Sequence, residues 1–203
     1  MYNAEETKNR ILETAVRLFA RKGLQAVSVA DIVSAVGCSK GAFFYHFPTK
    51  DALIGAAFDR CHNAVEEAAM EGLDALPGIV DRFCRRCYNL TRYALRNPDV
   101  TTVNSLCLTD PVYIAKNGFG YRASRRHFES VNAMVEEGLA GGELKNLPPL
   151  LLGELYYSIA AVPYTYMQDN PECFGNSEYW DGFYEIIRCA LAKRPSENKE
   201  GNP

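Results

Sequence analysis

The chain has 203 residues, of which 47% are hydrophobic and 23% charged, with a net charge of −3; these values fit a globular protein with a full core. So little net charge excludes a protein that coats nucleic acid by bulk attraction alone, and no apolar run reaches the roughly 18 residues of a membrane span. Seven cysteines behind the polar start MYNAEETKNR read as thiols of an intracellular, cytoplasmic protein rather than as a disulfide framework.

The charge is unevenly placed. Residues 1–60 hold eight Lys/Arg against six Asp/Glu, and the remainder fourteen against nineteen. A mildly basic head on an acidic body hints at a polyanion near the N-terminus. In chain order, Ile11, Leu12, Ala15, Val16, Leu18 and Phe19 make one helical stripe. Gly23 is predicted to end that helix in the left-handed conformation. Ser28 caps a short helix, VADIVSAV, with Asp31 three residues on to hold its first turn. It stops at Gly37. Ser39 caps a second short helix, which ends before Pro48. Thr49 then caps a helix of 21 residues starting at Lys50.

Further helices are predicted from Pro77 to Asn97, over 100–109 before a kink at Asp110-Pro111, over 120–140, from Pro149 to Met167, and over 177–193. Residues 195–203 read as a polar, flexible tail. Strand alternation is missing throughout, so the predicted fold is all-α. It has an N-terminal helix-turn-helix domain at 1–48 and a helical domain at 49–194.

The segment at 37–53, GCSKGAFFYHFPTKDAL, carries the chemistry. Two capped helices too short to persist alone meet at Gly37 and must pack on the first helix. That is the helix-turn-helix pattern, whose last helix enters the DNA major groove. Small residues at Ser39, Gly41 and Ala42 let this helix sit deep, and Lys40 reaches guanine or phosphate oxygens. Tyr45, His46 and Lys50 can each donate to a phosphate, as can the amides at the Ser28 and Thr49 helix starts. Phe43 and Phe47 share the other face and are predicted to be core.

These residues resemble the signature of the tetracycline-repressor (TetR) family of transcription regulators. The match runs over about residues 7–60, through Ile11, Ala15, Phe19, Gly23, Ser28, Val29 and Ile32 into Gly37, Ser39, Gly41, Tyr45-His46-Phe47, Lys50 and Leu53. The resemblance implies DNA contacts at Ser28, Lys40, Gly41, Phe44, Tyr45, His46 and Lys50. Phe44 stands where many members have tyrosine; without the hydroxyl it either touches a thymine methyl or packs.

The resemblance also implies a homodimer on a palindromic double-stranded DNA operator, most simply a repressor that a small-molecule effector releases. It places the dimer interface on helices 149–167 and 177–193, with Leu151, Leu155, Tyr179, Trp180, Phe183, Ile187 and Leu191 as candidates. Tyr88, Phe128, Tyr157 and Tyr164 are candidate walls of an effector pocket, since aromatic walls suit planar ligands. His127, Asn132 and Glu154 are polar residues in the same helices. No P-loop, nucleophile elbow, zinc or dinucleotide motif is present, so no catalysis, cofactor or metal is expected. Two alternatives stay open: an all-α ligand-binding protein, and a thiol-responsive regulator using Cys84 and Cys87, which are read as core beside an exposed Arg85-Arg86 pair.

Overall fold

The computed structural model describes residues 3–117 and 129–193. Within them the chain forms ten α-helices: α1 Ala4–Lys22, α2 Val29–Val36, α3 Lys40–His46, α4 Lys50–Met70, α5 Ile79–Arg96, α6 Pro98–Thr109, α7 Pro111–Asn117, α8 Glu129–Ala140, α9 Pro149–Asp169 and α10 Ser177–Leu191. Short 3-10 turns precede α5 and α10. Among the described residues there is no named strand, only one isolated bridge, Leu144 to Ala192. The predicted helices are therefore present, with α7 distinct beyond Asp110. The starts of the 120–140 helix and of the tail lie outside the described residues, as do His127 and Phe128.

The caps explain the short helices. Asn3 and Glu6 form a capping box at the start of α1, and Ser28 and Asp31 form one at the start of α2. Gly37 takes the left-handed conformation (φ 72°, ψ 37°) that ends α2 and turns the chain. Gly23 departs from expectation: its φ is 81° but its ψ is 162°, so it ends α1 in an extended turn rather than a left-handed helical one.

The chain groups into two compact units that do not follow its linear order: residues 3–69 with 93–117, and 70–92 with 129–193. The first is built on α1–α4, α6 and α7. Ile11, Ala15, Phe19, Ile32, Phe43 and Leu53 are its buried centre, and Val103, Cys107 and Tyr113 from α6 and α7 complete the same core. Arg10 donates to the Val36 carbonyl at 2.8 Å, tying α1 to the end of α2. Cys61 and His62 lie in this unit too, both buried, with His62 stacked on Phe58.

The second unit holds most of α5 together with α8, α9 and α10. The N-terminus of α5 has a distant cap: Ile79 N–H donates to the Glu143 carboxylate at 2.9 Å. Arg82 Nη1 donates to both oxygens of the Glu137 carboxylate, at 2.8 and 2.9 Å. Trp180, Phe183, Ile187 and Leu191, candidates for a partner interface, are buried in this unit instead. They fill its core because they share the inner stripe of α10. Asn89 is also buried and donates to the Glu71 carbonyl at 2.8 Å.

Candidate nucleic-acid interface

The seven residues of α3 divide cleanly. Ser39 accepts from the Ala42 N–H at 3.1 Å and fixes the first turn. Phe43 and Phe47, one turn apart, are buried against the first unit's core, with ring centroids 6.1 Å apart. Lys40, Gly41, Phe44 and Tyr45 face outward. The five-residue aromatic run is thus split by helical geometry. Tyr45 keeps 78% of its surface exposed and Phe44 47%, although burial of either ring would stabilise the fold. His46 lies half-buried at the edge, 4.9 Å from the Tyr45 ring.

Gly41 is informative. A Cβ built there meets nothing nearer than Ser39 Oγ at 3.7 Å, an ordinary contact. Its backbone is helical and its site is exposed. Glycine in a helix costs about 1 kcal/mol relative to alanine, and no packing within the protein requires that cost here.

Two of the candidate contact residues also make bonds within the protein. Ser28 N–H and Oγ both donate to the Asp31 carboxylate, at 2.8 and 2.6 Å, and Ser28 Oγ accepts from the Asp31 N–H at 3.1 Å. Those bonds from Ser28 hold the Asp31 carboxyl below the usual carboxylate range. The amides left to present at this helix start are therefore those of Val29 and Ala30, not that of Ser28. Lys50 Nζ donates to the Gln25 carbonyl at 3.1 Å, bracing the turn between α1 and α2. Thr49 caps α4 as predicted, accepting from the Ala52 N–H at 3.0 Å.

Three of the candidate effector residues each make contacts of their own. Tyr88 lines an open cavity of about 480 Å³ in the second unit. Tyr157 lies under the Arg86 guanidinium at 5.6 Å, and Tyr164 accepts from Gln168 at 2.6 Å. Phe128 is outside the described residues. Glu154 is exposed, and Asn132 is half-buried beside Gly153. Cys84 and Cys87 are buried, as expected, but the adjoining arginines are not a pair: Arg85 is exposed while Arg86 is fully buried between the Tyr156 and Tyr157 rings. Burial pushes the Cys84 thiol up to about 11, and Cys87 higher still. Neither is a thiolate at neutral pH, which argues against the thiol-responsive alternative. Sequence reasoning missed Tyr184 and Arg188, which line the cavity beside Tyr88. No local motif marks them.

Among the described residues, no group of three or more His, Cys, Asp or Glu could hold a metal ion, and no helix is long and apolar enough to cross a membrane.

Comparison with known proteins matches this geometry. The family model of bacterial regulatory proteins, tetR family, fits residues 11–57. The chain is 42% identical over 72 residues to the HTH-type transcriptional regulator YerO of Bacillus subtilis, and 32% identical over 75 residues to the HTH-type transcriptional regulator AcrR of Shigella flexneri. These matches span only 25% and 35% of the relatives' lengths, and 32% and 37% of this chain. The fold match extends further. A tetR family transcription regulator from Marinobacter aquaeolei superposes with a TM-score of 0.73 at 21% identity, covering 94% of this chain and 97% of that one. One from Chloroflexus aurantiacus gives 0.70 at 22% identity, over 96% and 100%. At such identities the likeness is one of fold, and it includes the helices beyond the matched signature. Residues 11–57 thus carry the signature of the tetR family of bacterial regulatory proteins, and the fold is shared with solved tetR family regulators.

Proposed function

We propose that the protein is a cytoplasmic transcriptional regulator that binds a palindromic DNA operator as a homodimer, most simply as a repressor released by a small molecule. The observation that carries this reading is the outward face of α3. It presents an uncommitted glycine, a lysine, a phenol and a phenyl ring on a helix pinned from behind by Phe43 and Phe47. A glycine with no internal reason to be there suits close approach of another molecule's backbone or bases. Lys40 and Phe44 face base edges in this arrangement, and Tyr45, His46 and Lys50 face phosphates. Ser28 acts through the cap it makes. The functional boundary at residue 48 belongs to the same proposal: α1–α3 read the DNA, and the helices after them dimerise and bind effector.

Dimerisation draws support from α9. Leu151, Leu155, Val162 and Tyr166 recur at positions i, i+4, i+11 and i+15, and all but Leu155 are exposed. An apolar stripe of that spacing suits a facing helix. Two copies would present two α3 helices to half-sites about one DNA turn, roughly 34 Å, apart. An effector releases DNA by preferring the dimer state in which that spacing is lost, and it shifts the balance only by its differential affinity.

Selection from a random duplex pool tests this, with His46→Ala as the control. An enriched palindrome that the control loses is expected. No enrichment, with or without extracts of candidate effectors, would leave an all-α ligand-binding protein as the better reading.

Gly41→Ala separates the two meanings of that glycine. The variant is expected to be more stable by about 0.5–1 kcal/mol and yet weaker on DNA; equal or tighter DNA binding would remove Gly41 from the interface. Lys50→Ala is expected to weaken all duplexes alike and to reduce the salt slope by about 0.9 for each phosphate that the ammonium neutralises. An unchanged slope would assign Lys50 only to bracing the Gln25 carbonyl.

A further inference from the structure

The second unit's cavity is built by one face of α5 and one face of α10. Its walls are Tyr88 and Tyr184, its floor includes Cys84, and its rim carries Asp81, Arg85 and Arg188. At about 480 Å³ it has the size of a small-molecule site. We infer that this groove binds a planar aromatic monocarboxylate, with the ligand ring along Tyr88 and Tyr184 and its carboxylate on the Arg85 guanidinium. The inference deepens the effector part of the proposed function and rests on it.

Three observations select that ligand class. The first is rigidity. Tyr88 is stacked on Phe174 with centroids 5.1 Å apart and meets the Trp180 edge at 5.0 Å, and Trp180 is itself fixed by donating to the Phe174 carbonyl at 3.0 Å. Tyr184 also packs on Trp180, at 5.6 Å between centroids. An aromatic wall held from behind loses little entropy when a flat ring stacks on it. The second is charge. Arg188 is already engaged by Asp81 at 3.4 Å. Arg85 has no carboxylate partner among the described residues, so the lining carries one uncompensated positive charge. One guanidinium forks onto one carboxylate; a phosphate dianion would ask for more and would meet Asp81. The third is that the lining adds no further negative charge. Burial raises both the Cys84 thiol, to about 11, and the Tyr184 phenol, so both stay neutral at physiological pH.

The protein carries its own reporter, because Trp180 is the one tryptophan in the sequence and packs against both tyrosines. The full chain, without DNA, is titrated with 2-naphthoate and with the neutral 2-naphthamide. Trp180 emission is followed, and calorimetry supplies an independent reading. Saturable binding of naphthoate is expected, at least tenfold tighter than naphthamide. Arg85→Gln is expected to weaken naphthoate by about ten- to a hundredfold, the range for losing a charge-assisted hydrogen bond, and to leave naphthamide unchanged. Arg85 is exposed, so the variant keeps the fold. Equal affinity for acid and amide, an unchanged naphthoate affinity in Arg85→Gln, or no saturable binding by either method up to about 1 mM would each overturn the inference. Because the titration uses no DNA, it can fail while operator selection succeeds, and the reverse outcome would sink the regulator reading alone.

Discussion

Phe43→Ala is expected to cost about 3–5 kcal/mol, the range for removing a buried phenyl ring, and to abolish operator binding at physiological temperature. The ring is fully buried and packs beside those of Phe44 in α3 and Phe47 just after it. A helix of seven residues has almost no stability of its own, so its position is set by this anchor. The cost is large relative to the 5–15 kcal/mol that holds a typical domain together. Thermal or urea unfolding measures it. Phe43→Leu, which keeps most of the apolar volume, should recover much of both stability and DNA binding. A variant at Phe43 that binds DNA normally would show that α3 is held by something other than this ring.

The second large effect is chemical rather than structural. Lys40→Ala, at an exposed position on the first turn of α3, is expected to leave stability within about 0.5 kcal/mol. It should cost about 1–3 kcal/mol per half-site in operator affinity. In a dimer both half-sites are affected, so the total is about 2–6 kcal/mol, or roughly thirtyfold to ten-thousandfold. The loss should be concentrated at one base position per half-site, visible when selection is repeated with the variant. A uniform loss across sequences would place Lys40 on a phosphate and leave base readout to Phe44 and its neighbours.

How much of this is legible in the sequence depends on the range of the signals. The DNA-binding head is readable because its determinants are local. Ser28 with Asp31, Gly37, Ser39 and Thr49 each act within about one helical turn of themselves. The division of FFYHF into inward Phe43 and Phe47 and outward Phe44 and Tyr45 needs only helical periodicity. Periodicity does not say what a face meets, however. Trp180, Phe183, Ile187 and Leu191 form as good a stripe as any interface would, and they pack within their own unit. Leu151, Val162 and Tyr166 stay exposed. Arg86 reads like its neighbour Arg85 in sequence, yet one is enclosed by two tyrosines from α9 and the other stands at a groove. The groove itself joins Asp81 to Arg188 across 107 positions, and nothing near either residue announces the other.

The discontinuity of the first unit bears on how the protein is made. Its core takes Ile11, Phe19 and Phe43 from the start of the chain, and Val103, Cys107 and Tyr113 from well beyond α4. A ribosome delivers the first group several seconds before the second, at about 5–20 residues per second. Through that interval the nascent recognition helix has a hydrophobic face with part of its support still unsynthesised. The support of α3 is thus complete only once α7 has emerged, past the middle of the chain.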